Sequence, residues 1–196
     1  ELAKEWYIQR AKAGGWEEEV FYSMYRVGIC NVLLERPWQE IQDAFMQAWS
    51  YRPCRIEPLW QISRLYRQNG NPRLAYLFAN QGMSIPFPEQ DILFLAHDIW
   101  DWQILDEVAA TAYYVHEFEK GLAASNMLLK NPNFPKEHHE RTLTNIKLYQ
   151  EALANKQKAI QEREEMLKGH SDRGATSKKR PERKKSFKKR KKQKAR

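Results

Sequence analysis

Residues 52–88 contain the feature that most constrains the fold: two helix-forming segments separated by an Asn-Gly turn. Pro58 suits the first position of a helix, because the N–H that it lacks would have no partner there. Asn69-Gly70 ends this helix, and Pro72 opens a second one, which Pro86 stops. The apolar faces are Leu59, Ile62, Leu65 and Tyr66 in the first helix and Leu74, Ala75, Phe78, Ala79 and Gly82 in the second. Neither helix can bury its face alone, so the hairpin requires similar helices as neighbours.

The same pattern occurs twice in the chain. Ala44, Phe45 and Ala48 precede Pro53 much as Leu74, Ala75, Phe78 and Ala79 precede Pro86, and the two prolines are 33 residues apart. A period of about 34 residues with paired helices and a terminal proline is typical of tetratricopeptide repeats. We therefore predict an all-α fold, a tetratricopeptide-like helix-hairpin solenoid over residues 1–155. A charged end of the last helix, 156–168, and a disordered basic C-terminal tail, 169–196, complete the prediction.

The remaining helices are predicted from apolar spacing and from Gly and Pro positions. They cover residues 1–13, 16–34, 37–52, 103–118, 121–129 and the segment from 136 onward, with a short helix or extended turn at 87–102. Leu2 and Trp6 are expected to face the core in the first helix. Leu143, Ile146 and Tyr149 are expected to do so in the last.

Charge is distributed unevenly along the chain. The net charge is +8, yet residues 168–196 hold 15 Lys or Arg against 2 Asp or Glu, whereas residues 1–167 hold 18 basic and 23 acidic residues. The predicted phosphate-binding residues of the tail are Lys178, Lys179, Arg180, Lys184, Lys185, Lys188, Lys189, Arg190, Lys191 and Lys192. Such basic runs bind nucleic acid, direct nuclear entry or attach to anionic lipid. The alternative is that the tail only keeps the chain soluble.

The two cysteines, Cys30 and Cys54, are too few and too far apart for a zinc site or a disulfide framework. Free thiols predict a reducing compartment, the cytoplasm or, through the tail, the nucleus. No apolar run approaches the roughly 18 residues that a membrane span needs, so no transmembrane segment is expected.

Catalytic and metal-binding patterns are weak. Asp98 and Asp101, with His97 beside them, have the spacing of oxygen ligands on one helical face, but helix capping beside Trp100 and Trp102 explains the same residues. His138 and His139 are adjacent, so on a helix they point about 100° apart and do not share a metal as an i, i+4 pair does. An exposed first turn of the last helix is the favoured interpretation. No catalytic residue, metal ligand or cofactor is predicted.

Tryptophans and arginines offer two further hypotheses. One hypothesis is that indole rings stack on sugar rings, and its candidates are Trp49, Trp60, Trp100 and Trp102. The alternative is that they belong to the core, as tryptophans at helical spacing usually do. The concave side of a helical stack binds extended peptides or acidic termini, and an arginine-rich groove is predicted there. Its residues are Arg52, Arg55, Arg64, Arg67, Tyr66 and Asn69. The alternative is that these arginines form ion pairs with Glu57, Asp43 or Glu40.

Several segments resemble the tetratricopeptide-like helical region found beside nucleotide-sugar glycosyltransferase domains. They are GGWEEEVFYSMYRVG, AFMQAW, RIEPLWQISRLYR, LAYLFANQG, IPFPEQDILF, IWDWQILDEVAATAYYV and the late R-x-x-x-N-I-x-x-Y, Arg141 to Tyr149. The resemblance covers about residues 1–153. The chain departs from it at His116, where glycine is usual.

The resemblance implies a non-catalytic scaffold region of a glycosyltransferase-related protein, whose partner is a glycosyltransferase catalytic domain or another protein. A catalytic domain of that kind has a Rossmann-like sheet and an Asp-x-Asp motif, and neither is in this sequence. Whether the chain belongs to an enzyme therefore stays open. The alternative function is a stand-alone adaptor whose basic tail binds nucleic acid or directs nuclear targeting.

Overall fold

The computed structural model describes residues 1–176, with side chains described as far as residue 167. Within that range the chain is all-helical and has no β-strand, which confirms the predicted all-α class. The α-helices are α1 (Leu2–Ala13), α2 (Glu17–Leu33), α3 (Trp38–Tyr51), α4 (Glu57–Gln68), α5 (Pro72–Met83), α6 (Ile104–Thr111), α7 (Phe118–Lys130) and α8 (His139–Thr176). The chain divides into two units, Glu1–Ala154 and Asn155–Arg196.

The α4–α5 hairpin forms where the sequence predicts it. Pro58 lies in the first turn of α4, and Pro72 is the first residue of α5. Gly70 has a φ of 75°, the left-handed conformation that glycine adopts without a steric penalty, and its N–H bonds to the carbonyl of Arg67. Leu59, Ile62, Ala75 and Ala79 are buried between the helices and their neighbours, as the two apolar faces require.

Successive helices pack against one another from α1 to α7. The contact between α2 and α3 is close because Gly28 faces the ring of Phe45: a Cβ atom at residue 28 would lie 2.5 Å from that ring. One core cluster is built around Ile41, Phe45 and Ile62, and a larger one extends from Ile56 through Ile104 to Leu128. Successive helices therefore bury their apolar faces against one another.

Three expectations about inward-facing residues are wrong. Leu74, which was placed on the apolar face of α5, is 42% exposed. Leu2 and Trp6 are 68% and 67% exposed, because α1 packs chiefly on α2 and has no described neighbour on its other side. In α8, Leu143 is 50% exposed, and Thr142 is buried in its place. The buried side of α8 is thus rotated by one residue at this turn, while Tyr149 is buried as predicted.

The region from 87 to 117 is less regular than predicted. Residues 87–96 have no regular secondary structure. A π-helix over Ile99–Gln103 follows and leads into α6. The helix predicted to reach residue 118 ends at Thr111 and is followed by a 3₁₀ turn over Ala112–Val115. His116 then adopts a φ of 62°. It therefore takes the left-handed conformation that a glycine would favour at the position where this chain departs from the resemblance.

The last helix is longer than predicted. It reaches Thr176, eight residues into the segment predicted to be disordered from Gly169. Residues 155–167 are exposed along their whole length, so this part of α8 buries no side chain within the described part of the chain. Lys, Glu, Gln and Ala favour helix by local propensity, and Lys158 pairs with Glu162 one turn later, at 3.9 Å. The ten predicted phosphate-binding residues, Lys178 to Lys192, lie outside the described residues, so their role stays a prediction.

Candidate functional site

The structure does not bring the six predicted groove residues to one surface. Arg64 lies over the Trp60 ring and donates to Gln61. Tyr66 donates to Gln42 and packs between Trp38 and Phe78, and Asn69 caps the carbonyl of Leu65. Arg52 and Arg55 belong to a buried ionic cluster, and Arg67 alone among the six lines a described cavity. The groove as predicted is therefore wrong for Arg55, whose side chain is 1% exposed.

The buried ionic cluster consists of Arg52, Arg55, Glu57 and Asp91. Arg55 Nε and Nη2 donate to the Glu57 carboxylate at 2.9 and 2.5 Å, and Nη1 lies 3.4 Å from Asp91 Oδ2. The remaining N–H groups donate to the carbonyls of Leu93 and Phe94. All five donors of a guanidinium are thus used inside the protein, so Arg55 has none left for a ligand.

The same cluster fixes the loop from Asp91 to Phe94. Arg52 binds Asp91 through two hydrogen bonds, which lower the pKa of that carboxyl. On the other side of the loop, Glu18 Oε2 accepts the backbone N–H groups of Ile92 and Leu93 at 2.8 and 2.7 Å. Of the alternative ion-pair partners named from the sequence, the structure pairs Glu57 with Arg55, and Glu40 with Arg36 rather than with a groove arginine.

Arg67 and Arg141 are brought together at a second place, where both line one cavity of about 410 Å³. Arg67 binds Glu107 through Nε and Nη2 at 2.7 and 2.8 Å, and Arg141 Nη2 binds both oxygens of Asp106. The hydrogen bonds to Glu107 also raise the pKa of Arg67. We name this space the arginine cavity; it is lined by Arg67, Gly70, Pro72, Ala110, Tyr114, Arg141 and Asn145.

Both guanidinium groups are anchored but not saturated. The carboxylates that hold them, on Asp106 and Glu107, are buried and adjacent on α6. Arg67 Nη1 and Arg141 Nε and Nη1 have no acceptor among the described residues. A guanidinium held on one edge by a buried carboxylate and open on the other is pre-organised to receive a further anion, because little side-chain entropy remains to be lost.

The α8 side of the cavity is one helical stripe. Arg141 and Asn145 line the cavity, and with Tyr149 they recur every four residues, so the three share a face of α8. These are the residues of the R-x-x-x-N-I-x-x-Y segment that contributed to the resemblance. The groove prediction missed Arg141 and Asn145, although a polar pair one helical turn apart on an otherwise buried helix face was a signal that the sequence contained.

Tyr149 joins α8 to the end of α6. Its hydroxyl donates to the carbonyl of Ala109 at 2.9 Å and accepts the N–H of Tyr113 at 3.1 Å. In a continuous α-helix the N–H of Tyr113 would donate directly to the carbonyl of Ala109. The inserted hydroxyl replaces this backbone hydrogen bond. This is the physical reason why α6 stops at Thr111 and why Tyr113 and Tyr114 turn onto the surface beside the cavity.

We expect Tyr149→Phe to lower the free energy of unfolding by about 1–2 kcal/mol at neutral pH, because two backbone groups lose their partner. Burial raises the pKa of Tyr149 to about 12 from its ordinary value of 10.0. The folded state therefore keeps the proton where the unfolded state loses it, and this stabilisation, complete below pH 10, is lost as the pH rises through about 12. Urea unfolding between pH 8 and pH 12, about the range of tyrosine ionisation, measures both effects. If the stability of Tyr149→Phe depended on pH as that of the wild type does over this range, the raised pKa of Tyr149 would not be the source of the pH dependence.

A second cavity adjoins the first. It has a volume of about 200 Å³, and we name it the tyrosine cavity; it is lined by Ala109, Ala110, Tyr113, Tyr114, Asn145, Leu148 and Tyr149. Ala110, Tyr114 and Asn145 line both cavities. Arg73 lies close by and donates to the carbonyl of Tyr114 at 3.3 Å. A basic space and a largely apolar space thus meet along one shared wall.

The other residues singled out from the sequence have different environments. His97, Asp98 and Asp101 line a separate cavity of about 500 Å³ with Phe87 and Trp100, and Asn131 and Asn133 donate to the Asp101 carboxylate. No group of three His, Cys, Asp or Glu residues within the described part of the chain is arranged to hold a metal ion.

The two adjacent histidines are not in an exposed first turn. His138 and His139 are half-buried, and both rings lie against Phe134. The four tryptophans are also partly buried. Trp60, Trp100 and Trp102 pack on the larger core cluster, and Trp49 donates to the carbonyl of Pro53. Cys30 is buried and Cys54 half-buried, and both are free thiols.

Comparison of the chain with models of protein families, with curated proteins and with solved structures finds no match. Among the helices that the structure describes, none combines the length and the apolar character needed to cross a membrane.

Proposed function

We propose that the chain is a non-catalytic, tetratricopeptide-like helical-repeat region that binds an acidic segment of another protein in the arginine cavity. The observation that carries this proposal is the pair of anchored guanidiniums, Arg67 and Arg141, with unused donors on one cavity. Helical hairpins packed in succession, with prolines 33 residues apart, support a solenoid arrangement. Solenoids bind extended partners on surfaces formed by successive repeats.

The association with sugar transfer is a further part of the proposal and rests on the resemblance. Under it, the region accompanies a glycosyltransferase catalytic domain, either in the same protein or as a partner. The reading frame upstream of Glu1 tests this directly. A strand-rich domain with an Asp-x-Asp motif supports the association within one protein, and a start codon at that point counts against this version of it.

The alternative is a stand-alone adaptor whose basic tail contacts nucleic acid or directs nuclear entry. The excess of 13 positive charges in residues 168–196 favours it, because binding to phosphates scales with the number of cations available. This function uses a different part of the chain from the arginine cavity. A variant that lacks residues 177–196 therefore separates the two.

We expect the full chain to bind peptides that contain Asp or Glu more tightly than their amide counterparts, as measured by fluorescence anisotropy. Arg67→Gln or Arg141→Gln should weaken this binding about tenfold or more, because each removes hydrogen bonds to a charged group. Deleting residues 177–196 should leave it unchanged.

Two controls separate binding from folding. Arg36→Gln removes a half-exposed arginine that pairs with Glu40 away from the cavity, and it should bind like the wild type. Asp106→Asn combined with Arg141→Gln removes the buried carboxylate together with its cation, so lost affinity in this variant does not come from an unpaired buried charge. Equal affinity for the acidic and amide peptides would rule out the proposal.

A further inference from the structure

We infer that the ligand of the arginine cavity is an extended peptide in which a large apolar residue stands directly beside the carboxylate. This inference rests on the proposed function and names the class of sequence that the site accepts. Its basis is the continuity of the two cavities, which share the wall formed by Ala110, Tyr114 and Asn145. A peptide whose carboxylate binds Arg67 and Arg141, and whose chain continues past Tyr114 and Asn145, places the neighbouring residue at the tyrosine cavity.

The tyrosine cavity suits an apolar side chain. Tyr149 is 1% exposed, and its hydroxyl already donates to the carbonyl of Ala109 and accepts the N–H of Tyr113, so it presents no free polar group to this cavity. Leu148 is 45% exposed, and the rings of Tyr113 and Tyr114 are exposed as well. Among the described residues, no charged side chain lines this cavity. Filling it would remove aromatic and aliphatic surface from water, which stabilises a complex.

Asn145 stands between the two spaces. It lines both cavities. A primary amide both donates and accepts, and so matches the N–H and C=O of one peptide unit. We assign it the main-chain contact that fixes which residue of the ligand enters which cavity. The carboxylate itself can belong to an Asp or Glu side chain or to a chain terminus.

The test is an array of synthetic heptapeptides probed with the full chain. Each peptide has one central Asp or Glu and varied neighbours, and each is made with an amidated and with a free C-terminus. Peptides with Leu, Ile, Met or Phe next to the acid should bind at least about tenfold more tightly than those with Ser or Gly there. Comparison of the amidated and free forms shows which source supplies the carboxylate.

Matched variants distinguish the inferred preference for an apolar neighbour from the proposed binding of acidic peptides. Leu148→Asp should abolish the preference for an apolar neighbour, whereas Leu143→Asp, a similarly exposed leucine on α8 that lines neither cavity, should retain it. Binding that needs the acid and Arg141 but ignores the neighbouring residue would overturn this inference and leave the proposed function standing. Loss of discrimination between acidic and amide peptides would remove both.

A second copy of the chain is the competing occupant. If the tyrosine cavity were covered by self-association, light scattering would give a dimer mass that Leu148→Asp reduces to that of the monomer. That result would also overturn the inference. We expect instead the monomer mass of 23.4 kDa for the wild type, and the same monomeric state for Leu148→Asp.

Discussion

Arg55→Met is expected to lower the free energy of unfolding by about 3–5 kcal/mol, the largest effect of any substitution considered. The variant leaves the Glu57 carboxylate buried without a cation, and it removes the donors that bind the carbonyls of Leu93 and Phe94. Asp91 keeps Arg52, so the loss comes mainly from Glu57 and the two carbonyls. Urea unfolding followed by circular dichroism measures it.

The paired variant is more informative than the single one. Arg55→Met with Glu57→Met removes both charges and keeps the volume, so it should be less destabilised than Arg55→Met alone. Arg36→Met serves as the control, because its half-exposed pair with Glu40 contributes at most about 0.5 kcal/mol. A double variant that loses as much as the two single variants together would show that the charges are not coupled.

Hydrogen exchange locates the consequence of losing Arg55. The amides of Ile92 and Leu93 are held by Glu18, and the loop that carries them is also held by Arg55. They should exchange markedly faster in Arg55→Met, while amides in the middle of α7 keep their wild-type order of protection. Phe94 is expected to respond as well, since its φ of 49° is strained and the contact with Arg55 helps to maintain it.

Gly121→Ala is expected to be the next most damaging change, at about 2–3 kcal/mol of overpacking. The added Cβ would lie 2.1 Å from Tyr149 Cζ and 2.4 Å from its hydroxyl oxygen. The ring is 1% exposed and is fixed by two hydrogen bonds, so it cannot move aside without giving them up. Alanine normally stabilises a helix relative to glycine by about 1 kcal/mol, so the sign of the effect is itself diagnostic.

Gly82→Ala is the matched control, because Gly82 is another buried helical glycine. Its Cβ would lie 3.0 Å from Ile104 Cδ1, the flexible end of a side chain that can shift. The change should therefore stay within about 1 kcal/mol of the wild type. Gly121→Ala combined with Tyr149→Leu should be less destabilised than the sum of the two single variants, because the ring that the new Cβ would meet is absent. A Gly121→Ala protein as stable as Gly82→Ala would contradict the close contact between α7 and α8.

The sequence was most informative where helix ends are set by nearby residues. Pro58, Gly70 and Pro72 act within one turn of their own position, so the α4–α5 hairpin was predicted almost to the residue. The end of α6 was not predicted, because the group that ends it is the hydroxyl of Tyr149, 36 residues beyond Tyr113. No local pattern around Thr111 indicates that a side chain of α8 forms hydrogen bonds with the backbone there.

The arginines illustrate the same division at the candidate site. Arg55, Arg67 and Arg141 have identical chemistry, and sequence spacing grouped the first two. The fold instead encloses Arg55 completely and joins Arg67 to Arg141, 74 residues away, through adjacent carboxylates on α6. By itself the sequence determined the helical class and the hairpin at residues 57–83, since propensity, capping and apolar spacing are local. Only the tertiary structure decided which arginines keep free donors, because that depends on which carboxylates and carbonyls packing brings within hydrogen-bond distance.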